Sequence, residues 1–185
     1  MSLAASLARF TADAAQCDSL MGTAHHRDAT GVYLFSPADR SLVTQSAFLN
    51  LFIAWEGFLE EAFAQFMIGS PSTSGVQPVK YVSPLTTGNA KLMIIGNSKY
   101  FDYANIDFVR KLASLYFKDG YPFEPHLSAS RTDINDMRIM RNASAHISST
   151  TQIALEALAQ RILSIPKQGI NLYSLLTTVD PNTLV

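Results

Sequence analysis

Two side chains suited to phosphate chemistry, Arg141 and His146, lie in the stretch from Met137 to Ile147, separated by Asn142 and three small residues. A guanidinium group stays charged and matches the geometry of a phosphate. An imidazole can accept or donate a proton near neutral pH. The pair therefore suits chemistry on a phosphodiester, in which the arginine binds the phosphate and the histidine carries a proton.

The spacing of this pair limits what one helix can do. On an α-helix, Arg141 and His146 would be about 140° apart around the axis and about 7.5 Å apart along it, while Asn142 and His146 share a face. One helix therefore cannot close both charged side chains on a single phosphate. Two copies facing each other could, so we expect a composite site at the two-fold axis of a homodimer.

Two further arginines, Arg138 and Arg131, precede the motif on the same predicted helix. With Arg141 they form a broken stripe of positive charge that could bind phosphate or RNA, although Asp133 and Asp136 dilute it. A purely structural explanation is also open. Arginine and histidine near a helix C-terminus are favoured by the helix dipole and can bond to the last carbonyl groups.

The composition narrows the class of protein. The 185 residues are 48% hydrophobic with a mean hydropathy of +0.11, which predicts a single globular domain spanning 1–185. With 14 basic and 15 acidic side chains, the net charge is −1, so any RNA contact has to be local. The single cysteine, Cys17, excludes an internal disulfide and favours a cytoplasmic location. Two adjacent histidines, His25 and His26, point to different helix faces and predict no metal site.

Neither a signal peptide nor a membrane span is predicted. The N-terminus lacks a basic start followed by an apolar run. The most apolar segment, Ala47 to Ile68, is long enough to cross a membrane, but polar residues interrupt it. We therefore expect a soluble protein without membrane association. The interrupting residues are Asn50, Glu56, Glu60, Glu61 and Gln65.

Segments of helical periodicity predict an all-α fold, an antiparallel helical bundle of about five helices. Runs of apolar residues recur at helical spacing, and no convincing pair of alternating strands is present. The predicted helices are Ser2 to about Met21, a second from Asp39 as N-cap to about Met67, a third from Asn105 or Asp107, the motif helix capped by Ser128 or Ser130, and Ser149 to Ile165.

The connecting segments carry weaker signals. A variable insertion is predicted around 69–104, beginning with a loop rich in glycine, serine and proline. Within it, Lys91 to Ile95 could be helix or strand. The C-terminal tail, 166–185, carries apolar residues that predict docking on the bundle or on a partner. On the motif helix, the residues predicted to face the core are Ile134, Met137, Met140 and Ala143 or Ser144.

Two of these segments together resemble the HEPN domains, small helical bundles of bacterial toxin and antiviral systems and of some eukaryotic ribonucleases. Arg141 to His146 looks like the family's signature of an arginine, a polar residue, three variable residues and a histidine on a late helix. Phe52 to Glu61 is similar to the early helix of a bacterial HEPN subgroup, in which a tryptophan–glutamate pair precedes an aromatic residue. A long variable insertion separates the two segments in that subgroup as well. The resemblance covers roughly Ala47 to Ile165.

The resemblance implies a metal-independent endoribonuclease without a cofactor, acting as a homodimer whose paired motifs form one cleft. It implies that His146 is the general acid or base, Arg141 the phosphate clamp and Asn142 a positioning group, beside the RNA contacts expected of Arg138 and Arg131. A toxin or antiviral role, with an antitoxin or other regulatory protein as partner, is implied too. The alternative is a non-catalytic module that binds nucleotides or a protein partner.

Overall fold

A computed structural model describes residues 2–146, 148–164, 166 and 168–178. This part of the chain is all-α, with extended pairing limited to isolated bridges, which confirms the predicted fold class and is consistent with a helical bundle. Eight α-helices are described, joined by loops and a short 3₁₀ turn. They are α1 (Leu3–Ala24), α2 (Pro37–Ile68), α3 (Thr87–Ile95), α4 (Ile106–Tyr116), α5 (Phe123–Ala129), α6 (Arg131–Ala145), α7 (Ser149–Leu163) and α8 (Leu172–Thr177).

Three short helices account for the difference from the five predicted segments. α3 has nine residues, α5 seven and α8 six. The ambiguous run from Lys91 to Ile95 forms the second half of α3, inside the insertion predicted around 69–104. A helix of two turns contains too few repeats for its periodicity to stand out in the sequence, so length explains why these helices were not predicted.

The start of α2 corrects one prediction. Asp39 is not the N-cap, because Ser36 occupies that position. The Ser36 hydroxyl accepts a hydrogen bond from the Asp39 backbone N–H at 3.2 Å and donates to the Asp39 carboxylate at 2.6 Å. Pro37 follows as the first helical residue, where its missing N–H is no loss. Asp39 instead places a negative charge in the first turn, at the positive end of the helix dipole.

The alternatives predicted for two other helix starts are resolved. Asn105 caps α4, since its side-chain oxygen accepts from the Phe108 N–H at 3.4 Å. Ser128 does not cap the motif helix, because it lies inside α5 and donates to Glu124 at 2.9 Å. Ser130 stands directly before α6, and its carbonyl accepts from the Ile134 N–H at 3.0 Å.

The contacts divide the chain into two compact units, Met1–Asp13 with Ile53–Asn135, and Ala14–Phe52 with Asp136–Val185. The core of the first unit is built on aromatic rings around Phe63, which is fully buried. Phe63 stacks on Phe123 at a centroid distance of 4.5 Å and meets Phe117 edge-on at 5.3 Å. Such ring pairs contribute about 0.5–1.5 kcal/mol beyond their buried area, so this cluster fixes α2, α4 and α5 together.

The core of the second unit is aliphatic and joins α6 and α7 to the C-terminal segment. Leu155 and Leu158 of α7 and Leu175 of α8 are buried in it. Gln152 donates to the Ile170 carbonyl at 2.9 Å, which adds a polar tie between α7 and the tail. The predicted docking of the tail on its own chain is confirmed for 168–178, and 179–185 lie outside the described residues.

One core prediction on α6 is wrong. Met137 was predicted to face inward, but 37% of its surface is exposed. Ile134 belongs to the core of the first unit, whereas Met140 and Ala143 pack on the core of the second. Met137 lies between them and belongs to neither core, because the buried face of the helix changes where the chain passes from one unit to the other.

α2 is the one described helix that is long and apolar enough to cross a membrane, by length and composition only. The core helices of soluble proteins pass the same test, so this is weak evidence. Its Glu60 and Glu61 carboxylates lie 3.5 and 3.1 Å from the Lys91 Nζ on α3. Burial acts to lower the pKa of Lys91, but hydrogen bonding to Glu61 and the charges of both glutamates together outweigh it, and the pKa is raised. The Lys91 ammonium therefore stays charged beside the two carboxylates. The structure is consistent with a soluble protein.

Candidate functional site

α6 positions the residues of the predicted motif. The helix runs from Arg131 to Ala145, so Arg141 and Asn142 are helical and His146 is the first residue after the helix. The His146 N–H still donates to the Asn142 carbonyl at 2.9 Å. The backbone therefore keeps the i, i+4 helical spacing that was predicted for Asn142 and His146. Arg141 and Asn142 are half-buried, and the imidazole residue is exposed.

The turn after α6 is closed by a threonine that the sequence analysis did not identify. Thr151 donates from its hydroxyl to the His146 carbonyl at 2.6 Å. The same residue completes a capping box with Ser148, the N-cap of α7. Helix C-termini leave carbonyls without an intrahelical partner, and here one of them is satisfied by the next helix. The signal was present in the sequence, as a serine followed three residues later by a polar side chain before an apolar run.

Arg141 and Asn142 are joined side chain to side chain. The Arg141 Nη1 donates to the Asn142 side-chain oxygen at 3.3 Å. Arg141 and Arg138 also have further interactions within the protein. A guanidinium held by neighbouring groups loses less conformational freedom when it binds an anion. Asn142 thus contacts the Arg141 side chain, and its positioning role stays a prediction.

The basic stripe predicted on α6 is not uniform. Arg131, at the start of the helix, pairs with Asp107 of α4 at 3.0 Å. Hydrogen bonding from Arg131 lowers the pKa of Asp107, with Arg110 contributing at 3.2 Å. On the second unit, Asp136 pairs with Arg161 of α7. Of the two acidic residues predicted to dilute the stripe, Asp136 is therefore paired with another arginine, and the charge of Arg131 is shared with a carboxylate.

The arrangement at the end of α6 can do two things chemically. Arg141 can donate hydrogen bonds to phosphate oxygens, and the exposed imidazole of His146 can exchange a proton with a bound ligand. Within the residues described, no group of three or more histidine, cysteine, aspartate or glutamate side chains could hold a metal ion. Comparison of the chain with protein-family models, curated proteins and solved structures finds no match.

Proposed function

We propose that the protein is a metal-independent endoribonuclease of the HEPN type. One observation carries the proposal. α6 ends directly before His146, so the imidazole is exposed at the helix end, five residues after a guanidinium that is hydrogen-bonded to Asn142. A histidine that only capped the helix through its side chain would be bonded to the last carbonyls. Among the described residues the His146 side chain makes no such bond, and the His146 carbonyl accepts a hydrogen bond from the Thr151 hydroxyl.

The proposed reaction uses the ribose 2′-hydroxyl as the nucleophile. One His146 imidazole takes the proton from this hydroxyl, whose oxygen attacks the adjacent phosphorus. The bond from phosphorus to the 5′-oxygen breaks, and that oxygen takes a proton from a protonated imidazole. Arg141 stabilises the negative charge that develops on the phosphate oxygens. The products are a 2′,3′-cyclic phosphate and a 5′-hydroxyl, and DNA is not cut because it lacks the nucleophile.

We propose a homodimer as the working unit, because the two proton transfers are then divided between two imidazoles. Within one chain, the helical spacing keeps Arg141 and His146 on different sides of the helix end. A second copy of the motif supplies the group that the first cannot bring to the same phosphate. Ala145 is exposed beside His146 and would allow close approach, whereas Ala143 already packs on the core of the second unit. The dimer contact would therefore use the last residues of α6.

The proposed setting is the cytoplasm, where the enzyme would act as a toxin or an antiviral effector. Uncontrolled RNA cleavage harms the cell that produces it, so an antitoxin or other regulatory protein is proposed as a partner. The net charge of −1 gives the molecule no general affinity for nucleic acid. RNA binding would therefore depend on the local charges of Arg138 and Arg141, with a smaller contribution from Arg131.

The experiment is an RNA cleavage assay in EDTA with the wild type, His146→Ala and His126→Ala. His126 is an exposed histidine of α5 and serves as the matched control. We expect the wild type and the control to cut RNA to cyclic-phosphate ends and to leave DNA intact. Loss of a general acid or base lowers the rate about 10²- to 10⁴-fold, so His146→Ala should be almost inactive.

The same assay separates the proposal from a non-catalytic module. RNA that is bound but equally intact with the wild type and His146→Ala would rule out the nuclease and favour nucleotide or partner binding. Sedimentation at micromolar concentration tests the dimer separately. If the protein cleaved RNA as a monomer, the proposed reaction would stand and the composite site at a dimer axis would be refuted.

A further inference from the structure

A second cluster of basic and aromatic side chains lies in the unit formed by Ala14–Phe52 and Asp136–Val185. The segment after α1 folds back on itself, with the Asp28 N–H donating to the Val32 carbonyl at 2.8 Å and the Leu34 N–H to the His26 carbonyl at 3.0 Å. This turn, the first turn of α2 and the start of α8 meet at the cluster. Its members are His25, Arg27, Tyr33, Arg40 and Tyr173.

Two arginines share one aromatic ring. The guanidinium carbons of Arg27 and Arg40 lie 4.0 and 3.8 Å from the centroid of the Tyr33 ring. Arg27 also donates through Nη2 to the Tyr33 hydroxyl at 2.5 Å. Cation–π attraction holds each guanidinium in place but does not cancel its charge. Two positive charges are therefore held close together around Tyr33.

No carboxylate in the described part of the chain pairs with either guanidinium. The two nearest acids in sequence are engaged elsewhere. Asp28 accepts hydrogen bonds from the Thr30 hydroxyl at 2.6 Å and from the Val32 N–H at 3.0 Å, and the Thr30 bond is the main reason why the pKa of Asp28 is lowered. Asp39 accepts from the Ser36 hydroxyl. Within the described residues, the positive charge of the cluster is thus uncompensated at short range.

The arginines are oriented by neutral groups and keep donors to spare. Arg27 donates to the Gly31 carbonyl at 3.2 Å, and Arg40 donates to the Phe35 carbonyl at 2.9 Å. Arg40 also reaches the Tyr173 hydroxyl with Nε at 3.4 Å. A guanidinium carries more N–H donors than these bonds use. The Nη2 group of Arg40 makes no hydrogen bond to the described residues, so it is available to a ligand.

His25 and Tyr173 form the third side of the cluster. Their rings are stacked with centroids 6.0 Å apart, and the Tyr173 hydroxyl lies 3.4 Å from His25 Nε2. His25 Nδ1 is 2.9 Å from the Met21 carbonyl, to which it can donate. His25, Tyr33, Arg40 and Tyr173 are half-buried and Arg27 is exposed. The site is therefore partly shielded from water and still open to a small molecule.

We propose that this cluster binds the phosphate group of a small ligand, either inorganic phosphate or a phosphomonoester such as a nucleoside monophosphate. Both guanidiniums contact the same ring and neither has a carboxylate partner among the described residues, so they repel each other, and a phosphate bound beside them reduces the repulsion. Arginine's planar set of donors matches phosphate oxygens, and the existing hydrogen bonds hold both groups before the ligand arrives. The site is separate from the proposed nuclease motif and does not depend on it.

The direct test is an NMR titration of the arginine Nε–Hε signals in the ¹⁵N-labelled full chain at low ionic strength. The probes are inorganic phosphate, adenosine 5′-monophosphate, adenosine and sodium chloride. We expect phosphate and the monophosphate to shift the signals of Arg27 and Arg40, while Arg9, an exposed arginine paired with Asp13, does not respond. Tighter binding of the monophosphate would identify a nucleotide site, and equal binding a site for phosphate alone.

Variants then test the assignment. Arg27→Gln should weaken phosphate binding about tenfold, the effect of losing one charge-assisted contact, whereas Arg9→Gln should not change it. Because Arg27 is exposed, the variant is expected to fold, which circular dichroism would verify. Shifts with chloride or adenosine of the same size as with phosphate would overturn the proposal, as would unchanged phosphate affinity in Arg27→Gln. His146→Ala should bind phosphate like the wild type, which keeps this result distinct from a failure of the nuclease proposal.

Discussion

Arginine has opposite surroundings in two parts of this protein. In the first unit, Arg110 makes two parallel hydrogen bonds to the Glu124 carboxylate, at 2.8 and 2.6 Å, and a third to Asp107 at 3.2 Å. In the second unit, Arg27 and Arg40 lie against the ring of Tyr33 with no carboxylate among their described partners. The arginine of the first cluster has carboxylate partners, and the arginines of the second have none among the described residues.

The difference shows that the groups around an arginine decide whether it can bind an anionic ligand. Hydrogen bonding to Glu124 raises the pKa of Arg110, and the same bond lowers the pKa of Glu124, so each group stabilises the charge of the other. Such a pair ties α4 to α5 and has little left for a ligand. An arginine held by a ring and by carbonyls, as Arg27 and Arg40 are, keeps its charge for an incoming anion.

The largest effect is expected within α6, which carries both Arg141, the proposed phosphate clamp, and Arg131, which pairs with Asp107. Arg141→Ala should lower the rate of RNA cleavage about 10²- to 10³-fold, as the loss of a group that stabilises transition-state charge does. Arg131→Ala should lower it less than about threefold, because Arg131 shares its charge with Asp107. Single-turnover cleavage assays measure both. Equal losses in the two variants would contradict the separate roles proposed for Arg141 and Arg131.

The next effect concerns stabilisation by phosphate. In the wild type, inorganic phosphate should raise the midpoint of thermal unfolding, because a ligand that binds only the folded state stabilises it. Arg40→Gln should need about tenfold more phosphate for the same rise. Arg110→Gln should respond to phosphate like the wild type although it starts from a lower midpoint. If Arg110→Gln no longer responded to phosphate, the conclusion that only the Arg27 and Arg40 cluster binds phosphate would be contradicted.

A smaller effect is expected on acid stability. Because the pKa of Glu124 is lowered in the folded protein, its ion pair is fully present above the ordinary glutamate value of 4.5. Stability should then fall as the pH drops through the folded pKa, which lies below that value. Glu124→Gln should cost about 1 kcal/mol at pH 7 and show a flatter decline in acid. Urea unfolding between about pH 7 and about pH 3 measures this, and the control is Asp13→Asn, which removes a longer ion pair, with Arg9 at 3.7 Å.

The smallest effect is expected from the hydrogen bond between Thr151 and the His146 carbonyl, which closes the turn after α6. Thr151→Val removes the hydroxyl that bonds the His146 carbonyl and completes the capping box of α7. It should cost about 1 kcal/mol of stability, as the loss of a helix cap does, and slow cleavage about threefold. Ser36→Ala, which removes the cap of α2, is the matched control with a similar loss of stability. If both variants slowed cleavage equally, general destabilisation would explain the result and the turn would have no specific role.

Much of the fold was predictable because helical signals are local. The long helices α1, α2 and α7 repeat their apolar residues over several turns, and the sequence alone predicted their extents closely. The cap of α4 at Asn105 was among the predicted alternatives for the same reason. The cap of α2 was misassigned to Asp39 because aspartate and serine are both good caps, and only the hydrogen bonds distinguish them.

The candidate motif was also visible in sequence, because Arg141 and Asn142 lie in the last turns of one helix and His146 follows it directly. The exposure of Met137 and the pairing of Arg131 with Asp107 depend on which surfaces the rest of the chain brings to α6. The cluster proposed to bind phosphate was the part of the structure least predictable from the sequence. His25 and Tyr173 are separated by 148 positions, and no local pattern relates them. Only tertiary packing brings such residues together, because the free energy of burying distant segments decides their contacts.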